Sequence, residues 1–287
     1  MKYAFIKAHE GIYRQEILCR ALGVSRSGFT DWRTRGGRYK RKQAQAGIDA
    51  QVAEAFYAGR SRSGAPRLTL ELGKQGLTLD KKTVANSLKR QSLRAKAARK
   101  FRATTQSGHN RPVAPNLLER DFTAKRRNEK YVGDITYLWT DEGWLYLAVF
   151  IDLYSRAVVG WSISTRMTSD LVCEAYSMAM MRRGNPRSVI VHSDRGIQYC
   201  SQKFQDLLRK HQCKSSMSRK GNCWDNAVAE SFFRSLKIEA FYGERFETRE
   251  NLKQSMFEYI EVYYNRVRLH SANGYISPAA FEARKVA

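Results

Sequence analysis

The segment YVGDITYLWTDEGWLYLAVFID, residues 131–152, decides the fold, because it has the pattern of two strands joined by a tight turn. β-Branched and aromatic residues dominate both halves, and Asp141, Glu142 and Gly143 between them are typical turn residues. Downstream patterns predict strand 157–163, helix 169–183, strand 188–192, helix 201–211, strand 214–217 and helix 226–240. This order predicts an α/β fold with a mixed five-stranded sheet flanked by helices.

The patterns upstream of the hairpin are helical. Residues 15–34, QEILCRALGVSRSGFTDWRT, predict a helix-turn-helix with Gly23 in the turn and Ser25 as N-cap of the second helix. That helix would present Arg26 and Arg33 to a DNA major groove, although a plain helical hairpin shares the apolar pattern. Residues 48–99 predict a second helical unit, and the polar, proline-containing stretch 104–116 predicts an extended linker.

Charge is distributed unevenly along the chain. The 287 residues carry a formal net charge of +24. Residues 1–130 have 30 Lys and Arg against 10 Asp and Glu, and the remainder has 21 against 17. This asymmetry predicts an N-terminal region that binds phosphates and a less basic region whose acids serve another purpose.

Several classes of protein do not fit this sequence. The longest apolar run, 145–151, is too short to cross a bilayer, and the start lacks a signal-peptide pattern. The five cysteines are odd in number and form no C-x-x-C pair, so neither a disulfide framework nor a zinc site is indicated. The sequence predicts a reduced, cytoplasmic protein.

Three acidic residues stand in distinctive contexts: Asp134 in YVGDITY, Asp194 in VHSDRGIQYCS and Glu230 in GNCWDNAVAESFF. Asp134 lies in the middle of a strand, where a buried charge is costly unless it faces a functional site. Asp194 follows the carboxyl end of a strand, which is where the functional sites of α/β sheets usually lie. Carboxylates are preferred ligands of Mg²⁺, and two such ions can run phosphodiester cleavage. In a basic chain, these acids predict metal-assisted cutting and joining of DNA.

Asp225 and Glu239 are alternatives to Glu230 as the third carboxylate of this site. Asp225 suits the helix start, whereas Glu230 lies on a polar helix face opposite an apolar face that docks on the core. Asp152 remains an alternative acid, and His192 is interpreted as a packed, hydrogen-bonded residue. Residues predicted to contact DNA are those of this polar face and of the preceding basic loop, namely Asn226, Arg234, Lys237, Arg219 and Lys220.

YVGDITY, VHSDRGIQYCS, SMSRKGNCWDNAVAESFFRSLK and NRVRLHSANGYISP resemble the OrfB-type transposases of bacterial insertion sequences, the IS-three family. The resemblance runs from about residue 15 to the C-terminus. It implies membership of the DDE superfamily, which includes retroviral integrases and has a catalytic domain of ribonuclease-H-like fold. Tyr131 and Ser63 depart from the usual Trp and Tyr of the family, and no heptad-repeat segment precedes residue 15.

The resemblance also implies functional residues and partners. Asp134, Asp194 and Glu230 would bind metal, two Mg²⁺ ions or Mn²⁺ in their place, and Lys237 would lie near the DNA. The implied reaction nicks terminal inverted repeats, frees a 3′-hydroxyl and joins it to target DNA. Implied partners are insertion-sequence ends, target DNA, further copies of the chain on DNA, and the upstream-frame protein or its fusion product, all at the bacterial nucleoid.

The predicted organisation has five segments. They are a helix-turn-helix module at 1–43, a second helical DNA-binding module at 44–103, a linker at 104–128, a ribonuclease-H-like core at 129–242, and a C-terminal helix and basic tail at 243–287. Two other functions stay open on sequence grounds. One is an inactive or domesticated DNA-binding regulator that uses only the helical modules, and the other is a nuclease that cuts without joining.

Overall fold

The computed structural model describes residues 1–96, 112–219 and 223–284, and Lys220 lies outside this range. The chain divides into two compact units, Met1–Ala95 and Lys96–Ala287. The described residues include no helix long and apolar enough to traverse a lipid bilayer.

The first unit is built from helices. They are α1 (Lys2–Ala8), α2 (Gln15–Ala21), α3 (Arg26–Ala58), α4 (Ala65–Lys74) and α5 (Lys81–Arg90). The predicted helix-turn-helix is present in α2 and α3: Gly23 has φ +61°, and the Ser25 hydroxyl accepts a hydrogen bond from the Gly28 N–H at 3.0 Å. α3 runs for 33 residues and so continues through residue 43, where the sequence suggests the end of a module.

Two apolar clusters hold the first unit together. Ile6, Leu18 and Phe29 are buried where α1, α2 and the start of α3 meet. Further along, the end of α3 packs on α4 and α5, and the buried residues there are Val52, Ala55, Phe56, Leu68, Leu72, Val84 and Leu88. The 3.6-residue spacing of these apolar side chains explains why each segment is helical.

The second unit contains the predicted mixed sheet, with strand order β3-β2-β1-β4-β5. Its strands are β1 (Lys130–Thr140), β2 (Gly143–Asp152), β3 (Val158–Ser164), β4 (Ile190–Ser193) and β5 (Lys214–Met217). β1, β2 and β3 are antiparallel neighbours, whereas β4 pairs in parallel with both β1 and β5. The five-stranded mixed sheet predicted from the sequence is therefore confirmed.

Helices cover both faces of the sheet. One apolar cluster includes residues of α6 (Ser169–Arg182) and α7 (Gln202–Lys210), and the other includes residues of α8 (Ala227–Leu236) and α9 (Arg249–Phe257). Gly160 of β3 permits the closest approach, because a Cβ there would lie 2.1 Å from the carbonyl oxygen of Ala175 in α6. Because helices lie on both faces of the sheet, alternate residues of the central strands are buried on opposite sides.

The C-terminal helical segments are less regular than the sequence predicts. A 3₁₀ turn (Cys223–Asn226) precedes α8, which continues as a π-helical turn (Lys237–Phe241), and α9 likewise continues as a π-helical turn (Glu258–Tyr264). A second 3₁₀ turn (Ser271–Asn273) and α10 (Pro278–Ala283) follow. The prediction of a single regular helix at 226–240 is therefore wrong at both ends. Tertiary contacts account for this, since Lys237, Glu239 and Ala240 are all buried in the wider turn.

Candidate functional site

Asp134 lies on β1, and Asp194 follows the adjacent parallel strand β4. The register pairs Val132 of β1 with His192 of β4. Two residues further along each chain segment, Asp134 is therefore level with Asp194, which directly follows β4. Adjacent strands are about 4.8 Å apart. The sheet therefore brings together two carboxylates that are 60 positions apart in the sequence.

Local hydrogen bonds orient both carboxylates. The Ile135 N–H donates to Asp134 Oδ1 at 2.8 Å, and the Gly196 N–H donates to Asp194 Oδ1 at 2.9 Å. A Cβ on Gly196 would lie 2.9 Å from Asp194 Oδ1, so the glycine permits this close turn around the carboxylate. These bonds fix the orientation of one oxygen of each carboxylate.

Charge is concentrated around Asp134. Burial raises the pKa of Asp134 well above its usual value, and the negative charge of Asp194 raises it further. Glu230 acts in the same direction more weakly, while the hydrogen bond from Ile135 and the charge of Lys237 lower the pKa. Repulsion among neighbouring carboxylates is the situation that a bound divalent cation relieves.

Glu230 lies on the exposed side of α8. The opposite side of the helix is buried through Ala229, Phe232, Phe233 and Leu236. Partial burial raises the pKa of Glu230. In the described ranges 1–96, 112–219 and 223–284, no three His, Cys, Asp or Glu side chains are already grouped as metal ligands. The structure thus places Asp134 and Asp194 side by side, and Glu230 within electrostatic range of Asp134.

Lys237 is buried beside the site. It is 6% exposed, and its Nζ lies 5.1 Å from the centre of the Tyr137 ring. Burial lowers the pKa of Lys237 to about 8, although the charge of Asp134 opposes this shift. A cation in this position compensates part of the negative charge around Asp134.

The other residues predicted to contact DNA occupy different environments. Arg234 is exposed on α8, and Arg26 and Arg33 are exposed on α3, where Arg33 also donates to Glu10 at 3.1 Å. Asn226, by contrast, is buried, and its Nδ2 donates to the carbonyl oxygen of Gly133 at 3.4 Å.

Asp225 is an anchor for the chain that leads into α8. Its buried carboxylate accepts hydrogen bonds from the backbone and guanidinium of Arg219, from Arg120 and from Asn116. These bonds, above all those from the Arg219 side chain, hold the pKa of Asp225 well below its usual value. The Arg219 guanidinium, although exposed, is therefore already engaged within the protein.

The remaining acidic candidate, Glu239, forms a buried structural pair. Arg268 donates to both of its carboxylate oxygens, and the Tyr259 hydroxyl donates at 3.0 Å. The competing carboxylates Asp225 and Glu239 thus both have arginine partners, whereas the charge of Glu230 contributes to raising the pKa of Asp134.

Asp152 and His192 have structural contacts. The Asp152 carboxylate accepts from the backbone N–H groups of Asn128 and Tyr154, and burial raises its pKa to about 6. His192 is fully buried between the hydroxyls of Ser216 and Ser218, and burial lowers its pKa to about 4. The prediction of a packed, hydrogen-bonded histidine is confirmed.

One residue near the carboxylates was missed by the sequence reasoning. Tyr199 is 1% exposed, and its hydroxyl has no hydrogen-bond partner within the described part of the chain. Its pKa is raised well above the usual value by burial and then by the charges of Asp134 and Asp194. The available signal was its place in VHSDRGIQYCS, five residues after Asp194.

Comparison with known proteins gives consistent matches. Residues 124–223 and 230–286 each match a family model described as integrase core domain. The chain is 53% identical over 288 residues to transposase InsF for insertion sequence IS3A of Escherichia coli (strain K12), with 100% of both chains covered. It is 42% identical over 267 residues to the insertion element IS600 uncharacterized 31 kDa protein of Shigella sonnei, covering 93% of this chain and 98% of the relative.

Among solved structures, one similar chain comes from a cryoEM structure of the simian T-cell lymphotropic virus intasome in complex with PP2A regulatory subunit B56 gamma. The match has a TM-score of 0.46 and 16% sequence identity, and it covers 82% of this chain and 75% of that chain. The integrase core family model and the mixed sheet of this chain together identify its fold as ribonuclease-H-like.

Proposed function

Because this chain belongs to the IS3-type transposases, we propose that it binds insertion-sequence ends, nicks them to free a 3′-hydroxyl, and joins that hydroxyl to target DNA. The observation that carries the proposal is that Asp134 of β1 is level with Asp194, which ends the adjacent parallel strand, while the charge of Glu230 acts on Asp134. Three carboxylates from separate elements form the donor set that such chemistry requires.

The residues present fit a divalent cation by their chemistry. All three are carboxylates, which are the ligands Mg²⁺ prefers, and the raised pKa of Asp134 reflects a local excess of negative charge. When bound, Mg²⁺ or Mn²⁺ would supply charge stabilisation for the phosphodiester and a nucleophile at neutral pH. Asp134, Asp194 and Glu230 would hold two such ions.

The chain's own residues prepare the site for this chemistry. Backbone donors at Ile135 and Gly196 fix the two aspartates, so the carboxylates need little reorganisation when substrate binds. Lys237 offsets part of their charge from its buried position. The exposed Arg234 would contact a phosphate of the bound DNA.

The strongly basic first 130 residues would bind the phosphate backbone, and the helix-turn-helix would read the terminal repeat. Arg26 lies exposed in the first turn of α3, at the helix end that enters a major groove in this motif. The same observation favours the second candidate function, a DNA-binding regulator without catalysis. We further propose that several copies act together on two DNA ends, since joining requires both ends at one place.

A strand-transfer assay tests the proposal. Labelled duplexes carrying the element's terminal repeats are incubated with the full chain in Mg²⁺, in Mn²⁺ or with a chelator. Cleavage and joined products are expected with either cation and not with chelator. Asp134→Asn should bind the duplex with parental affinity and form no product, whereas the control Asp206→Asn, at an exposed acid of α7, should remain active. Binding without cleavage by the parent under every condition would favour the regulator, and full activity of Asp134→Asn would refute the site.

A further inference from the structure

Helices α4 and α5 form a second helix-turn-helix within the first unit. Residues 75–80 join them, and Gly76 in this turn has a φ of +88°. Asp80 caps α5, because its carboxylate accepts a hydrogen bond from the Lys82 N–H at 2.8 Å. The apolar side chains buried between the two helices are Leu68, Leu72, Val84 and Leu88. In DNA-binding motifs of this kind, the second helix enters the major groove.

The inner face of α5 is fixed by polar contacts with α3. The buried Ser87 hydroxyl donates to the Asp49 carboxylate at 2.5 Å, and Arg90 donates to both oxygens of that carboxylate, at 2.6 and 3.1 Å. The Gln91 amide donates to the Asp49 carbonyl at 2.8 Å. These contacts determine which side of α5 faces outward, and they engage Arg90 within the protein.

The outer face of α5 is exposed and carries only positive charge. Its members are spaced by three and four positions and so lie on one side of the helix, namely Lys82, Ala85, Asn86 and Lys89. We call these four residues the α5 stripe. Residues 81–91 include four Lys or Arg and no Asp or Glu, whereas a face that only keeps a protein soluble usually mixes both signs.

The α5 stripe has the chemistry to recognise a base pair flanked by phosphates. An asparagine amide donates and accepts at once, and it pairs bidentately with N6 and N7 of adenine in the major groove. Ala85 beside it is small, so the helix can approach the bases closely. Lys82 and Lys89 lie about one helical turn to either side of Asn86, where they can reach phosphates.

We propose that α5 is a second reading helix, which enters the major groove and recognises an adenine through Asn86, with Lys82 and Lys89 on neighbouring phosphates. The occupant is DNA because α5 belongs to the region, residues 1–130, that holds 30 Lys and Arg against 10 Asp and Glu. The chain would then read two blocks of base pairs, one through α3 and one through α5. This inference rests on the proposed function, because it names a second contact with the same DNA.

Selection from random DNA tests the proposal. The full chain, with chelator present to prevent cleavage, is mixed with duplexes that carry about three helical turns of randomised base pairs. The parent is expected to select two blocks of preferred sequence. Asn86→Ala should select the same sequences but lose the preference for adenine at one position. On the duplex that the parent selects, Asn86→Ala should bind about 5- to 150-fold more weakly, as expected for one bidentate base contact.

Matched variants separate base reading from charge and from folding. Gln51→Ala removes an exposed amide of α3 outside the α5 stripe and should leave the selected sequences unchanged. Lys82→Gln should weaken binding of every sequence alike and reduce the salt slope of log affinity by about 1. Because Asn86 is exposed and alanine favours a helix, Asn86→Ala should be at least as stable as the parent, which thermal unfolding checks.

Three results would overturn the reading helix: no selected sequence with the parent, an unchanged preference with Asn86→Ala, or an equal loss of affinity for all sequences with Asn86→Ala. The strand-transfer assay with Mg²⁺ is run in parallel. A parent that selects sequence through Asn86 but never cleaves would refute the proposed catalysis and leave the reading helix in place. Cleavage and joining by a parent whose preference does not depend on Asn86 would have the opposite meaning.

Discussion

The side-chain amide of Asn226 donates a hydrogen bond to the main-chain carbonyl of Gly133, at 3.4 Å, and so joins the start of α8 to the residue before Asp134. Asn226 is buried, and its Oδ1 has no partner among the residues that the structure describes. The helix that carries Glu230 and the strand that carries Asp134 are therefore coupled through a neutral side chain. This coupling makes the separation of the two carboxylates sensitive to a residue that is not itself acidic.

Asn226→Ala should lower activity far more than stability. Loss of one hydrogen bond costs about 1 kcal/mol of unfolding free energy. A shift of α8 against β1 would misplace Glu230, and misplacement of about 1 Å costs roughly 100-fold in rate. Single-turnover cleavage and urea unfolding measure the two effects, with Asn251→Ala on the exposed side of α9 as control. A fall in activity no larger than the fall in folded fraction would contradict the coupling.

Asp134→Asn should stabilise the chain without metal and remove its response to Mg²⁺. The amide carries no charge, so the burial cost and the repulsion from Asp194 and Glu230 are both relieved. In the parent, saturating Mg²⁺ at 100 times its dissociation constant should add about 2.7 kcal/mol to the unfolding free energy. Thermal unfolding with and without Mg²⁺ measures this, and Asp206→Asn, at an exposed acid of α7, should respond like the parent. An unchanged Mg²⁺ response in Asp134→Asn would exclude Asp134 as a ligand.

His192 should make the protein acid-sensitive between pH 6.5 and pH 4. Its folded pKa is about 4, below the unfolded value of about 6.5, so the unfolded state binds the proton first as the pH falls. Stability conferred by the neutral ring is therefore complete above pH 6.5 and is lost towards pH 4, by about 3 kcal/mol. Asp152, with a raised pKa of about 6, opposes this trend because its burial cost disappears on protonation.

The contribution of His192 is isolated by comparing the parent with His192→Gln, since Asp152 is common to both. The difference in unfolding free energy between the two proteins should shrink as the pH falls from 6.5 to 4. Chemical denaturation at a series of pH values measures it. A difference that stays constant across this range would show that His192 does not resist protonation in the folded protein.

Gly160→Ala should destabilise the second unit, whereas Gly73→Ala should stabilise the first. The new Cβ at 160 would meet the Ala175 carbonyl at 2.1 Å and the Ala179 backbone nitrogen at 2.6 Å, which costs about 3 kcal/mol. At Gly73, inside α4, the structure leaves open space, and alanine favours the helix by about 1 kcal/mol. Calorimetric unfolding of both variants checks the pair, and equal effects would argue against the tight contact of β3 with α6.

Much of the fold can be predicted from local patterns in the sequence. The hairpin at 131–152, the alternation of helices and strands after it, and the cap at Ser25 all follow from periodicity and turn residues. The π-helical turns were not predicted, because they depend on partners such as Arg268, which binds Glu239 from 29 positions away. Lys237 was expected to face DNA, yet it is buried against Tyr137, an outcome that helix periodicity alone does not reveal.

The roles of the candidate acids divide in the same way. Sequence motifs alone selected Asp134, Asp194 and Glu230 as candidates. The sequence also predicted a basic DNA-binding chain with a mixed sheet, because these features depend on residue type and spacing. Folding was needed to place Asp134 level with Asp194, to pair Asp225 and Glu239 with arginines, and to bury Lys237 against the Tyr137 ring. Such relationships join residues that are distant in the chain, and only packing and strand register determine which of them meet.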